Sequence, residues 1–460
     1  MGLGVMMVKC FLLFVVFHFA WIALGDEVAI TSSTEFLKVC LERTLEGAVK
    51  AKSDTYSLGS QFDSKGAWKN CMDLYDETIY RLNQSILSCL TKACSGSDVQ
   101  TWLSTALTNL DTCREGMGVS SESLQSVLQS ITIDVINALA IIKRLKQGMK
   151  TKEKYFGVLK QGAIESPTNG GRVDAVVALD GSGDYKTIQK AIDGAGIKRT
   201  NRSRRYVILV KQGVYKEYVI VGSKSNNLMI IGEGMGKTII TGDRSNGTGF
   251  RTFESATFLA KGDSLVLKNM TIKNTAGPEN EQAVALLSYS DASAFHRCRI
   301  EGFQDTLYVS ASRQFFKECE IYGTVDFIFG DAAVIFQDCK IFALRPPGGV
   351  NTITAQSRDS KNQRGGIVIH NSEVKEAPGV WLGGVKTYLG RPWRPYARTV
   401  VMKTQLGQLV DPKGWLQWDK STDFRSMYYA EYRNRGPGSG TENQVGFTSY
   451  RMKRKLVSLR

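Results

Sequence analysis

Two aspartates, each a fixed distance behind a cysteine, are the residues in this chain best placed to do chemistry. Asp305 stands seven residues after Cys298, and Asp326 seven residues after Cys319. Around each cysteine the sequence repeats, as Phe295-His-Arg-Cys298-Arg-Ile300, Phe316-Lys-Glu-Cys319-Glu-Ile321 and Phe336-Gln-Asp-Cys339-Lys-Ile341, at spacings of 21 and 20 residues. If each copy is one coil of a stack in register, the aspartates fall on adjacent rungs with backbones about 5 Å apart. Two carboxyls held that close cannot both ionise cheaply. One retains a proton, and the pair offers an acid beside a base or nucleophile at a single pH. Their flanks, Gly302-Phe-Gln304-Asp305-Thr-Leu307 and Gly323-Thr-Val-Asp326-Phe-Ile-Phe-Gly330, are largely apolar, which favours a buried pair over two turn residues capping local N–H groups. In the third copy the matching position is Pro346, so the pair has no third member.

Other chemistries are poorly supplied. Of three histidines, His18 lies in an apolar N-terminal run, His296 sits inside the repeat beside a cysteine, and His370 follows the strand-like Ile367-Val-Ile369 with no serine motif near it. No Gly-x-Ser-x-Gly occurs, so the sequence argues against a Ser-His-Asp esterase. Gly232-Glu-Gly-Met-Gly236-Lys237-Thr238 resembles part of a phosphate loop, but Ile231 stands where the first glycine belongs, and the segment reads as a coil corner. Neither His-Glu-x-x-His nor paired Cys-x-x-Cys is present, and no metal or cofactor is expected.

The elements that must position the aspartates are short. A period near twenty, rich in β-branched and aromatic residues, predicts coils of a parallel β-helix. From Val173 onward strand-like runs such as Tyr206–Val210, Leu228–Ile231 and Leu265–Leu267 alternate with Gly, Asn and Asp turns. Leu267-x-x-Met270-x-Ile272 and Ile369-x-x-Ser372-x-Val374 fit the same frame, with longer spacings that leave room for loops on one face. Thr187–Ile192 reads as a short helix capping the open end of the solenoid. Tyr308 and Phe329, each ten residues after its cysteine, are expected to stack beside the aspartates and offer ring faces to sugars.

The first 150 residues have another texture. Residues 1–25 carry one charge, Lys9, ahead of the apolar run Phe11–Leu24 and the triplet Ala23-Leu24-Gly25, which predicts a cleaved secretion signal. No other segment reads as apolar enough to span a membrane. From about Glu35 to Met149 apolar residues recur at three and four positions with breaks near Gly59–Gly66, Ser95–Ser97 and Gly116–Ser121, predicting an all-α four-helix bundle. The expected organisation is a signal over 1–25, a bundle over 26–150, a linker over 151–172 and an all-β parallel β-helix domain over 173–460.

The chain has 460 residues, 42% of them hydrophobic, and a formal charge of +15. A basic secreted protein suits nucleic acid, an anionic membrane or an acidic polysaccharide; basic residues are dispersed apart from the tail Arg451–Lys455, and secretion selects the polysaccharide. An extracellular site also gives meaning to four sequons, at Asn83, Asn201, Asn246 and Asn269, and to disulfide pairing among the cysteines. Adjacent rungs bring backbones to bridging distance, leaving Cys298–Cys319 and Cys319–Cys339 both feasible.

Five motifs stand in order over roughly residues 173–450: Gly213-Val-Tyr215-Lys-Glu217, Gln282-Ala-Val-Ala-Leu286, Gly302–Leu307, Gly323–Gly330 and Leu389-Gly-Arg-Pro-Trp393. Together they resemble plant pectin methylesterases, carbohydrate esterases built on a right-handed parallel β-helix. Trp68-Lys-Asn-Cys71-Met-Asp-Leu-Tyr75 and the run Trp102–Cys113 resemble the pectin methylesterase inhibitor domain, whose matching cysteines tie two helices together; Cys40, Cys89 and Cys94 are left unassigned. The resemblance implies that Asp326 is the nucleophile on a galacturonate methyl ester and Asp305 the proton donor and then base. It further implies that Gln282 and Gln304 stabilise the oxyanion, that Arg391 holds Asp326 ionised and binds substrate, and that Thr252 and Trp393 contact substrate. Trp415, with Trp418 near it, is assigned to the same groove, one of the two belonging to the core. The family pattern selects Cys319–Cys339, leaving Cys298 as a buried thiol, and pairs Cys71 with Cys113. The implied partner is methyl-esterified homogalacturonan of the cell wall, acted on by a monomer, with an inhibitor-domain contact in cis or in trans, no nucleic acid and no stable membrane insertion. Two carboxylates about 5 Å apart also suit a β-helical glycosidase or lyase, and a catalytically silent inhibitor or binding protein is the alternative of a different class.

Overall fold

The computed structural model describes residues 26–57, 65–91, 96–116, 122–148, 172–198, 204–419 and 423–444. The expected signal over 1–25, the expected linker up to residue 171, Cys94, the sequon at Asn201 and the basic tail lie outside the described residues. Contacts divide the chain into two compact units with the boundary between Glu153 and Lys154.

Four helices make up the first unit: Asp26–Ser57, Lys65–Thr91, Gly96–Gly116 and Glu122–Gly148. Each packs on the next, and the first also on the last, which closes the bundle. Leu37, Leu41, Leu74, Leu103, Leu107 and Leu139 fill the centre because they recur at helical spacing on one face of each helix. Cys71 and Cys113 form a disulfide between the second and third helices. Contrary to the expectation from sequence, Gln125–Arg144 in the fourth helix is long and apolar enough to cross a membrane. Its Leu128, Ile131, Val135, Leu139 and Ile142 are buried at spacings of three and four residues, so bundle packing accounts for that hydropathy.

The second unit is a right-handed parallel β-helix of three sheets with ten, eight and seven strands. Each coil runs from the ten-stranded sheet to the eight-stranded and then to the seven-stranded, as in Tyr206–Val210, Gly213–Lys216 and Val219–Val221. The three sequence copies are successive rungs: Phe295, Phe316 and Phe336 pair in register, as do Ile300, Ile321 and Ile341. Inside, the three phenylalanine rings stack with centroids 4.3 and 4.8 Å apart. Each fully buried ring contributes roughly 1.5–3 kcal/mol by leaving water. The columns continue to Leu267 and Ile272 on one side and to Ile369 and Val374 on the other, so the weaker flanking copies are rungs of the same stack. The helix Ile188–Lys198 buries Ile188, Ala191, Ile192 and Ala195 in this core, and Glu217 accepts hydrogen bonds from the Ile188 and Gln189 amides at its start.

The cysteine column departs from the expected pairing. Cys298, Cys319 and Cys339 are all buried free thiols, and no Cys319–Cys339 bond is formed. In-register neighbours on parallel strands point their side chains the same way, and here each thiol donates to a carbonyl one rung back: Cys298 to Leu267, Cys319 to Phe295 and Cys339 to Phe316. Burial pushes the Cys298 and Cys339 thiols well above their usual range, which keeps them unreactive.

Candidate active site

Both aspartates lie where the chain turns from the eight-stranded into the seven-stranded sheet. Asp305 precedes the strand Leu307–Val309 and Asp326 the strand Ile328–Gly330, two strands that pair directly. Both occupy the left-handed region, at φ 61° and 52°, a conformation Asp tolerates better than most residues. Glycine is required just ahead of Asp326, because a Cβ on Gly323 would meet the Phe327 Cβ at 2.2 Å and its ring at 2.4 Å. The corner is thus tight, and both aspartates stay buried in it, Asp305 8% and Asp326 5% exposed.

Asp326 is buried, with 5% of its surface exposed, yet its carboxylate is fully engaged. Arg391 Nε lies 2.9 and 3.1 Å from its two oxygens and Nη2 2.6 Å from Oδ2. Thr352 Oγ1 donates to Oδ1 at 2.6 Å and accepts from the Asp326 amide at 2.9 Å. Arg391 reaches it from the strand Lys386–Pro392, two strands along the same sheet from Ile328–Gly330, and the Trp418 ring covers the guanidinium at 4.3 Å. A forked guanidinium contact of this kind fixes the direction of the carboxylate.

Asp305 is treated differently. Its amide donates to the Val325 carbonyl at 3.1 Å, but its carboxyl makes no hydrogen bond among the described residues. Burial, and then the charge of Asp326, hold its pKa well above the usual carboxylate range, with Arg391 pulling the other way. The site therefore contains one carboxyl gripped by a cation and one whose burial and neighbouring charge favour its protonated form.

Gln282 and Gln304 sit on neighbouring rungs, linked by the Ala283 amide donating to the Gln304 carbonyl at 3.2 Å. Gln282 Oε1 is buried without a partner, and neither side-chain amide donates to a described residue, which leaves their N–H groups open to a ligand. Tyr308 and Phe329 stack at 4.2 Å, and the Trp393 ring stands 6.4 and 6.0 Å from them. Thr252 starts a short 3-10 turn whose Ser255 hydroxyl accepts from the Val284 amide, tying it beside the Gln282 rung. One expectation is corrected: Trp415 is 3% exposed, packs on Tyr429 at 4.5 Å and belongs to the core, so it does not line the groove. Trp418, 37% exposed and stacked 6.4 Å from Trp393, takes that place. Among the described residues no group of three or more His, Cys, Asp or Glu is disposed to hold a metal ion.

Of the described sequons, Asn246 is exposed in a 3-10 turn, its amide donating to the Gln282 carbonyl at 2.9 Å. Asn83 lies exposed on the second helix of the bundle, and Asn269 is half-buried with φ 54°.

Comparison with known proteins places this geometry. The pectinesterase family model matches residues 174–458, and the plant invertase/pectin methylesterase inhibitor model matches residues 24–141. An Arabidopsis thaliana protein named for both pectinesterase and pectinesterase inhibitor, number 38 of its series, is 64% identical over 92% of this chain and 87% of its own length. Pectinesterase 2 of Citrus sinensis is 47% identical over 92% of this chain and 84% of its own length. Among solved structures, a pectin methylesterase from carrot superposes with a TM-score of 0.60 at 43% identity, covering 64% of this chain and 92% of that one. One from Aspergillus niger gives 0.55 at 32% identity, covering 63% and 94%. With the β-helix domain and the N-terminal helical domain both matched, the chain belongs to the pectinesterase family of carboxylic ester hydrolases and carries a pectin methylesterase inhibitor domain ahead of the esterase domain.

Proposed function

We propose that this protein hydrolyses the methyl esters of galacturonate in cell-wall pectin, outside the cell, through a covalent intermediate on Asp326. The observation that carries this reading is the unequal pair: Asp326 gripped by the Arg391 fork, and Asp305 beside it buried without a hydrogen-bond partner. One Asp326 oxygen attacks the ester carbonyl carbon. The carbonyl π electrons move to oxygen, and the side-chain amides of Gln282 and Gln304 donate to that oxyanion without bringing a charge that would compete for either carboxyl. As the tetrahedral species collapses, the C–OCH3 bond breaks and the departing methoxide oxygen takes the proton of Asp305, releasing methanol. The galacturonyl group is then joined to Asp326 as an acyl anhydride. Asp305, now a carboxylate, removes a proton from water; the hydroxide attacks the galacturonyl carbonyl, Asp326 leaves, and the free acid departs with both aspartates restored. Tyr308, Phe329, Trp393 and Trp418 supply ring faces for the sugars, and Thr252 binds at the Gln282 side. The formal charge of +15 holds the enzyme on an acidic wall polymer. Methanol release from methylated pectin by the full chain tests this reading: wild type is expected to release it and Asp326→Asn to release essentially none. Shortening of the polymer without methanol would count against it and for a glycosidase or lyase.

A further inference from the structure

Beyond Asp326 the same corner continues through two more loops, residues 344–349 and 377–385, which also carry the chain from the eight-stranded to the seven-stranded sheet. They meet in one contact that the proposed reaction does not use. Arg345 Nη1 donates to the Trp381 carbonyl at 2.9 Å, and its guanidinium lies 5.1 Å from the centre of the Trp381 ring. Trp381 is 75% exposed, the most exposed tryptophan among the described residues. Its loop is built to hold it there: two tight turns, Val380 N to Ala377 O and Val385 N to Leu382 O, flank it. Gly379 and Gly384 take φ of 76° and 79°, and a Cβ on Gly383 would strike the Trp381 ring at 2.1 Å. Lys386 opens the strand that ends in the Arg391 segment, and neither it nor Arg345 forms an ion pair among the described residues. The nearby carboxylates, Glu376 at the end of the preceding strand and Asp411 beside Thr387, pair with neither cation. In the register of the sheet Asp326 stands level with Thr352 and Tyr388, so Lys386, where this loop ends, lies two residues along and two rungs away, about 12 Å from the reacting centre, or a few sugars along the polymer.

We propose that Arg345 and Trp381 form a distal subsite for galacturonates whose methyl groups have already been removed. An exposed indole offers a flat apolar face to a sugar ring, and the guanidinium edge beside it offers charge-assisted donors to a carboxylate. A methyl ester carries no charge for those donors, so the subsite selects product over substrate. It tethers the enzyme to the stretch of polymer it has just converted. The inference rests on the proposed reaction only for the origin of the free acids; binding itself is measured apart from catalysis.

The test uses the full chain and an unmethylated oligogalacturonate as probe, with calorimetric titration and methanol release in parallel. Arg345→Gln and Trp381→Ala are expected to weaken oligogalacturonate binding about two- to fivefold, the factor for losing one exposed charge-assisted or stacking contact. Trp381→Phe should keep most of the affinity. KM on half-methylated pectin should rise by about the same factor, while kcat on fully methylated pectin stays within about twofold. Unchanged oligogalacturonate affinity in both variants overturns the proposal. So does equal loss of polyglutamate binding in Trp381→Ala, which would make the patch a mere charge. If wild type binds oligogalacturonate through these residues but releases no methanol, the subsite stands and the esterase reading falls.

Discussion

Replacing Arg391 by lysine isolates what the guanidinium fork does for Asp326. The fork makes three contacts of 2.9, 3.1 and 2.6 Å to a carboxylate whose side chain is 8% exposed. A lysine ammonium on the same strand keeps the charge but reaches one oxygen, so at least one charge-assisted hydrogen bond to a buried carboxylate is lost. Such a bond is worth about 1.5–3 kcal/mol. Expressed in the transition state, where the nucleophile must hold one direction, that loss lowers kcat by roughly 10- to 150-fold at 1.36 kcal/mol per decade. KM should move much less, because the Tyr308, Phe329 and Trp393 rings proposed to hold the sugars are left in place. The assay is methanol release under saturating methylated pectin, with a thermal melt to show that the β-helix is intact. Arg391→Ala should be slower still and partly rescued by added guanidinium. A folded Arg391→Lys enzyme within twofold of wild-type kcat would refute the reasoning, because the fork would then be a structural pair only.

Four further outcomes follow from the structure. Asp305→Asn should lower turnover by about 100- to 10,000-fold, the usual worth of a positioned acid and base. The native chain holds a proton on Asp305 that the unfolded chain has released, so that stability is complete below about pH 3.9 and is lost as pH rises toward the raised native value; the wild-type denaturant midpoint should fall with rising pH more steeply than that of Asp305→Asn. The two neighbouring tryptophans should separate: Trp415→Ala costs about 3–5 kcal/mol of stability as a core deletion, whereas Trp418→Ala leaves the melt nearly unchanged and impairs kcat and KM. In the first unit, Cys71→Ser opens a disulfide with a sequence separation of 42 and should cost about 4 kcal/mol on chain-entropy grounds, read from urea unfolding followed by far-ultraviolet circular dichroism.

The rungs were legible because a stack in register imposes a period on the sequence. Phe295, Phe316 and Phe336 share one environment, so the chain repeats a phenylalanine there, and the cysteines that mark the copies also fix where Asp305 and Asp326 fall. What does not repeat was harder to read. Trp415 and Trp418 are three residues apart on an irregular segment near the end of the solenoid, where no periodicity says which ring turns inward; only the packing on Tyr429 decides it. The cysteine column gave proximity but not bonding, since rung spacing brings sulfurs together without deciding whether an S–H prefers a carbonyl one rung back. Thr352 was missed altogether. It lies one rung beyond Asp326, in the position that Asp326 itself occupies on its own rung, and counting forward along that column would have found it. The spanning-length hydropathy of Gln125–Arg144 was underestimated because its apolar residues are interspersed with polar ones rather than gathered in one run.

The claim on which the mechanism depends is that the acyl group passes through Asp326. A rapid quench of the full chain during turnover on methylated oligogalacturonate, with hydroxylamine to intercept an anhydride and mass spectrometry of the peptide carrying Asp326, tests it directly. The account predicts a hydroxamate or galacturonyl adduct at Asp326 that appears with the methanol burst and is absent from Asp326→Asn. Methanol release with no modification at Asp326, or an Asp326→Asn enzyme that still turns over, would contradict it.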